Sequence, residues 1–272
     1  MRSQLLIRGA MDKKIYSIAF ILLALFSLTQ LATLLKSSLE INIYDIYTKI
    51  TDFYSLFYFI IPLFTLFLLV FFIKVRNMEY AILRFLSRKE LFLSTVMALF
   101  QLAFGFTITV ILIVILESFT FISFDNNWSE LMLSGDSYYY FILHPGQGMV
   151  DLLKNFSPLF YVIHSFLLLF LMFSFVSLLF YILIILTEKV WFAFISVLTV
   201  MIINIVSEIM FIIWFNPISL VKHVIPLEYI ATYQLSGEHF PYQMYLFWAG
   251  GIIVLFVLGY IAIDKCDFSV TV

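Results

Sequence analysis

Apolar residues in this chain come in long unbroken runs, not in the alternation of a half-buried strand or the single stripe of a surface helix. Stretches without Asp, Glu, Lys or Arg cover residues 15–35, 53–73, 91–116, 155–187, 190–207 and 239–263. About 20 apolar residues rising 1.5 Å each cross a hydrocarbon core of roughly 30 Å. The pattern therefore predicts an all-α polytopic membrane protein with six transmembrane helices, at 15–35, 53–73, 91–116, 159–186, 190–215 and 245–263. All six fall in one transmembrane domain spanning residues 1–272, with no appended soluble domain.

Local signals refine these elements. Pro62 sits inside the second run, where its missing N–H predicts a kink. Ser157 before Pro158 is an N-cap and first-turn pair for the fourth helix. Only Thr187, Glu188 and Lys189 separate the fourth helix from the fifth, which makes the two an antiparallel hairpin. Residues 216–244 are too apolar for an ordinary loop and too broken to span, with Pro217, Lys222, His223, Pro226 and Glu228 among Ile218, Val221, Ile225, Leu227 and Ile230. They read as two short re-entrant helices dipping into the outer leaflet, or as an interfacial loop lying flat.

The composition agrees. Of 272 residues 64% are hydrophobic and 12% charged, against about 25% charged in an ordinary soluble domain. A net charge of -2 offers no basic field for nucleic acid. The single Cys266 excludes an intrachain disulfide and a Cys-based zinc site. Eleven of the fifteen basic residues fall in the N-terminal segment, the second-to-third and fourth-to-fifth connections and the C-terminal tail. By the positive-inside rule both termini are cytoplasmic. The first apolar run is longer than a signal-peptide core and has no small-residue cleavage site after it, so it is expected to be retained.

The densest charge cluster is the second-to-third connection, with Lys74, Arg76, Glu79, Arg84, Arg88, Lys89 and Glu90. Met78, Ile82, Phe85 and Leu86 recur there at helical spacing, which predicts an amphipathic helix along the cytoplasmic surface. Such a helix can anchor on lipid or seat in a groove of a soluble partner.

Glu79 followed by Ser87-Arg88, between the second and third helices of a six-helix chain, resembles the coupling region of ABC-2-type (type V) transporter permeases. The basic segment before helix one, the broken segment before helix six and the tail Asp264-Lys265-Cys266-Asp267 resemble that family as well. Two departures stand out: Phe85 and Leu86 occupy positions where many members have a Pro before the Ser-Arg pair. Thr95, Val96 and Met97 stand where a Lys is common.

The resemblance implies a bacterial plasma-membrane permease that pairs with a second permease subunit, the same or homologous, and docks two ATP-binding subunits. Glu79, Arg84, Ser87, Arg88 and Lys89 would then form the ATPase-coupling helix, and residues 1–14 an amphipathic elbow helix. No cofactor is expected in this chain, since it has no G-x-x-x-x-G-K-[ST] run; ATP and Mg would belong to the partner ATPase. The implied activity is ATP-driven export of an amphipathic or hydrophobic substrate: a peptide or bacteriocin, a drug, or a lipid-linked molecule.

Glu208 is the carboxylate expected inside a span, about 10 Å below the end of helix five, with Asn204 one turn earlier. An intramembrane carboxylate is costly and is a functional candidate by default. His164 of helix four lies at a similar expected depth, and the hairpin could join it to Glu208. His164, Asn204 and Glu208 are thus candidates for the translocation path, with interhelical packing as the alternative. No metal-binding H-E-x-x-H and no G-x-S-x-G elbow occurs. Two other classes stay open: a non-transporting immunity or anchor protein, and an intramembrane enzyme using His164 and Glu208.

Overall fold

The computed structural model describes residues 13–36, 40–76, 85, 87–119, 125–133, 153–236 and 238–264. Six helices are long and apolar enough to cross a membrane, as the charge-free runs predict. They are α1 (Lys13–Leu34), α3 (Phe53–Arg76), α4 (Arg88–Ser118), α6 (Pro158–Thr187), α7 (Val190–Ile209) and α9 (Gln243–Ala262). Short helices in the connections include α2 (Ile43–Ile50), α5 (Glu130–Leu133) and α8 (Pro226–Tyr233). No strand occurs among the described residues.

The hub is α6, which packs against α9, α4, α7, α3 and α2. It is also the longest charge-free run in the sequence, and most of it is buried against those neighbours. Rings set its spacing. Phe173 meets Phe64 of α3 at 4.6 Å and Phe106 of α4 at 5.2 Å between centroids. Farther along, Phe180 and Tyr181 each stack on Phe72, and Tyr181 stacks on Phe92. The pairing of Phe64 with Phe173 and Phe72 with Phe180 makes α3 and α6 parallel. Gly259 of α9 is a close-approach position: a Cβ there would lie 2.7 Å from the Phe92 ring. On the periphery α1 runs alongside α4, with Tyr16 hydrogen-bonded to Thr109 at 2.6 Å and Ser27 donating to Glu117.

Helix ends follow capping chemistry. Ser157 caps α6 and Pro158 occupies its first position, as expected; Ser87 caps α4 by accepting from Glu90 N–H at 3.2 Å. The interruption expected at Pro62 takes the form of a π-turn over Leu56–Ile60. There Ile61 N–H bonds five residues back to Leu56 C=O, so the ladder shifts register just before the residue that has no N–H. Glu188, in the left-handed region at φ 57, ends α6 one residue before Lys189 caps α7.

Most expected span ends shift by one to three residues, and one shifts by six. Helix five does not run to Phe215 but stops at Ile209. Ile212 N–H returns to Ser207 C=O and Phe211 N–H to Glu208 C=O, a Schellman motif with Phe211 at φ 54 in the place glycine usually takes. The third span reaches Ser118, two residues past its expected end, which brings Glu117 into the last turn of that helix. Residues 1–12 of the expected elbow helix lie outside the described residues, and so do 77–84 and 86 of the expected coupling helix.

Phe173 is fully buried and Ile253 of α9 is 62% exposed. Phe173→Ala should destabilise the fold by about 3–5 kcal/mol, whereas Ile253→Ala should change it by no more than about 0.5 kcal/mol. Equilibrium unfolding in mixed detergent micelles measures both.

Candidate functional site at the cap end of the bundle

The connections from α1 to α3, α4 to α6 and α7 to α9 meet at one end of the bundle and form a continuous cap. Asn42 Nδ2 donates to Asn127 C=O at 2.7 Å, and Ser129 Oγ donates to Asp45 Oδ1 at 2.7 Å, joining the first connection to the second. Trp128 Nε1 donates to Phe156 C=O, and the Phe156 ring meets Phe240, which joins the second to the third. Most of the polar groups involved are buried.

The helix α2 owes its form to a capping box: Asn42 Oδ1 accepts from Tyr44 and Asp45 N–H, and Asp45 Oδ2 accepts from Asn42 N–H. Asp45, Lys49 and Asp52 are all buried. Lys49 pairs with Asp52 at 3.5 Å, and Asp52 also accepts from Ser55 N–H at the start of α3. Burial pushes both carboxyls up, each to about 6, against the lowering effect of Ser129 on Asp45 and of Lys49 on Asp52. Charge spacing along the sequence does not show what folds over these residues.

The second buried cluster lies where α7 ends. Glu208, 2% exposed, sits one residue before that end, not about 10 Å inside a span. Lys222 Nζ lies 3.2 Å from Glu208 Oε2, and Ser219 Oγ donates to Glu208 Oε1 at 2.5 Å. Lys222 also donates to Asn216 Oδ1 at 2.5 Å. One turn earlier on α7, Asn204 Oδ1 accepts from Leu220 N–H at 2.8 Å. From the far side, Trp248 Nε1 of α9 donates to His223 C=O at 2.6 Å, and Phe247 stacks on the His223 ring at 3.8 Å.

Residues 219–225 thus form a non-helical strap, buried along its whole length, between a 3₁₀ turn at Ile213–Ile218 and α8. The 3₁₀ turn straddles the end of the expected fifth helix, and α8 falls within the expected broken segment. Burial disfavours the His223 imidazolium, with Lys222 adding to the effect and the hydrogen bond to Ser219 C=O opposing it. Removing one member of a buried ion pair leaves the other charge uncompensated, at a cost of about 3–5 kcal/mol.

Of the expected path residues, the structure brings Asn204 and Glu208 together on the strap and places His164 elsewhere. His164 Nδ1 is hydrogen-bonded to Tyr245 Oη at 2.7 Å, inside a ring of Phe160, Phe240 and Tyr242. The His164–Glu208 pair expected from the hairpin is therefore replaced by two separate sets of partners. The residue that sequence reasoning did not assign to Glu208 is Lys222; its signal was a lysine within an apolar, broken segment.

At the opposite end, Lys89 pairs with Asp264 at 3.0 Å and Arg88 donates to Asp264 C=O at 3.3 Å, both at the exposed start of α4. Ser87 is the cap of that helix. Glu79 and Arg84 lie outside the described residues. Among the described residues no cluster of three His, Cys, Asp or Glu side chains could hold a metal.

No protein-family model and no solved structure matches the chain. It is similar to an uncharacterized protein of Halalkalibacterium halodurans, 27% identical over 266 residues, which cover 98% of this chain and 93% of that protein.

A carboxyl whose folded-state value is raised binds extra protons in the folded state, so its contribution to stability falls as pH rises from about 4 to 6. Asp45→Asn removes that term. The melting temperature of the variant relative to the parent chain should therefore shift in the variant's favour between pH 4.5 and 7, read by thermal denaturation in detergent. A pH-independent difference would show that Asp45 keeps an ordinary carboxylate value.

Proposed function

We propose that this chain is the membrane-spanning permease subunit of an ATP-driven exporter of the ABC-2 type. The observation that carries the reading is the broken, buried segment between the fifth and sixth spans, at the end of the bundle opposite the basic connection between the second and third. That layout supports the resemblance read from Glu79, Ser87 and Arg88. In this reading the cap faces outward, both termini are cytoplasmic, and the membrane is a bacterial plasma membrane. Two copies of a separate ATPase dock at Glu79, Arg84, Ser87, Arg88 and Lys89, and a second permease subunit completes the path. The exposed apolar surfaces of α1, α7 and α9 suit lipid or a neighbouring subunit, and an amphipathic or hydrophobic substrate suits so apolar a bundle. Glu208 and Asn204 serve in it as fastenings of the outer segment, not as ligands of the substrate.

An affinity-tagged chain, extracted in a mild detergent from its native cell, should bring down a Walker-A ATPase. Arg84→Glu combined with Arg88→Glu should cut that recovery at least tenfold while the chain still inserts. Recovery of the intact chain with no nucleotide-binding partner would overturn the proposal.

A further inference from the structure

The buried charges at the end of α7 hold an element that has few backbone bonds of its own. Within residues 219–225 the backbone bonds are those of Val224 and Ile225 N–H, both to Val221 C=O at 3.2 Å. At its two ends Ser219 N–H donates to Asn216 C=O at 3.2 Å and Ile225 C=O accepts from Tyr229 N–H at 3.0 Å, and the ties to the spanning helices pass through side chains. Asn204 and Glu208 hold the strap to α7, and Trp248 holds it to α9. The apolar residues Leu220, Val221, Val224 and Ile225 are buried with it.

These two kinds of contact pull in different directions. Burying apolar side chains favours the seated strap without condition. Burying Glu208 and Lys222 costs each ion its hydration, and their mutual attraction only roughly repays that cost. An unseated strap would return both charges to water. A seat made this way is poised between two states in a manner that a purely apolar seat is not.

We propose that residues 219–225 are a releasable strap across the cap ends of α7 and α9, and that the Glu208–Lys222 pair is its latch. With both charges present the strap is seated and able to leave. With one charge removed, the other is stranded in a dry site and drives the strap out. With both replaced by apolar side chains of similar length, the strap is locked in place. Glu208 and Lys222 are positioning residues here, and the inference rests on the seat's geometry and not on the permease reading.

The test is maleimide labelling of Val221→Cys, a fully buried strap position, in detergent and in a Cys266→Ser background. A second reporter, Ile46→Cys, is equally buried in α2 at the same end of the bundle but away from the strap. Glu208→Gln or Lys222→Met alone should speed labelling at position 221 at least tenfold and leave position 46 unchanged. The charge swap, Glu208→Lys with Lys222→Glu, should restore the parent rate, and Glu208→Met with Lys222→Met should label at or below it. Equal acceleration at both reporters, no acceleration in either single variant, or doubles as fast as the singles would each overturn the latch. Because the assay needs no ATPase, it stands or falls separately from ATPase recovery.

Discussion

Every backbone N–H and C=O removed from water must find a partner, and in a chain this apolar that requirement governs where the chain can stop being helical. Along the spans the helix supplies the partners, and several hydroxyls that fall inside them are turned back onto their own helix. Thr65, Thr95, Thr107, Ser118 and Ser177 each donate to the carbonyl four residues earlier. Such residues are polar in the sequence and inert in the fold. Where the chain leaves the helix while still buried, other elements supply the partners. Asn204 satisfies Leu220 N–H, Trp248 satisfies His223 C=O, and Asn42 satisfies the start of α2.

This requirement explains which parts of the molecule the sequence discloses. A span is a property of some twenty consecutive residues, so all six could be read from the charge-free runs. A helix end is a property of one or two residues, and it is readable only when those residues advertise it. Ser157-Pro158 advertises the start of α6. Phe211 hides the end of α7, because a bulky residue in the left-handed region is unusual, and nothing in the run of Ile and Phe around it signals the turn. Displacing that one end moves Glu208 from about 10 Å inside a span to a helix terminus, and with it changes the candidate site.

The site itself was half legible. Glu208 and Asn204 drew notice because an amide and a carboxylate stand out against apolar neighbours. Their partners Ser219, Leu220 and Lys222 come eleven or more residues later, beyond a 3₁₀ turn. No periodicity links the two sets, since the strap has none. His164 had the right residue type and the right expected depth, yet Tyr245 claims it, because α9 and not α7 carries the ring cluster on that side of α6.

The two ends of the bundle use charge in opposite ways. At the cap, Asp45, Lys49, Asp52, Glu208 and Lys222 are buried, and each is held by a side chain or backbone group of fixed position. Substituting one of them disturbs its neighbours, so the cap behaves as a connected unit in which connections distant in sequence depend on one another. At the other end, Lys89 and Asp264 are about half exposed and their pairing is screened by water. A pair of that kind adds little to the fold, and its partners can be exchanged for those of another surface at little cost. Among the described residues the buried charges therefore all lie at the cap, and none lies at the other end.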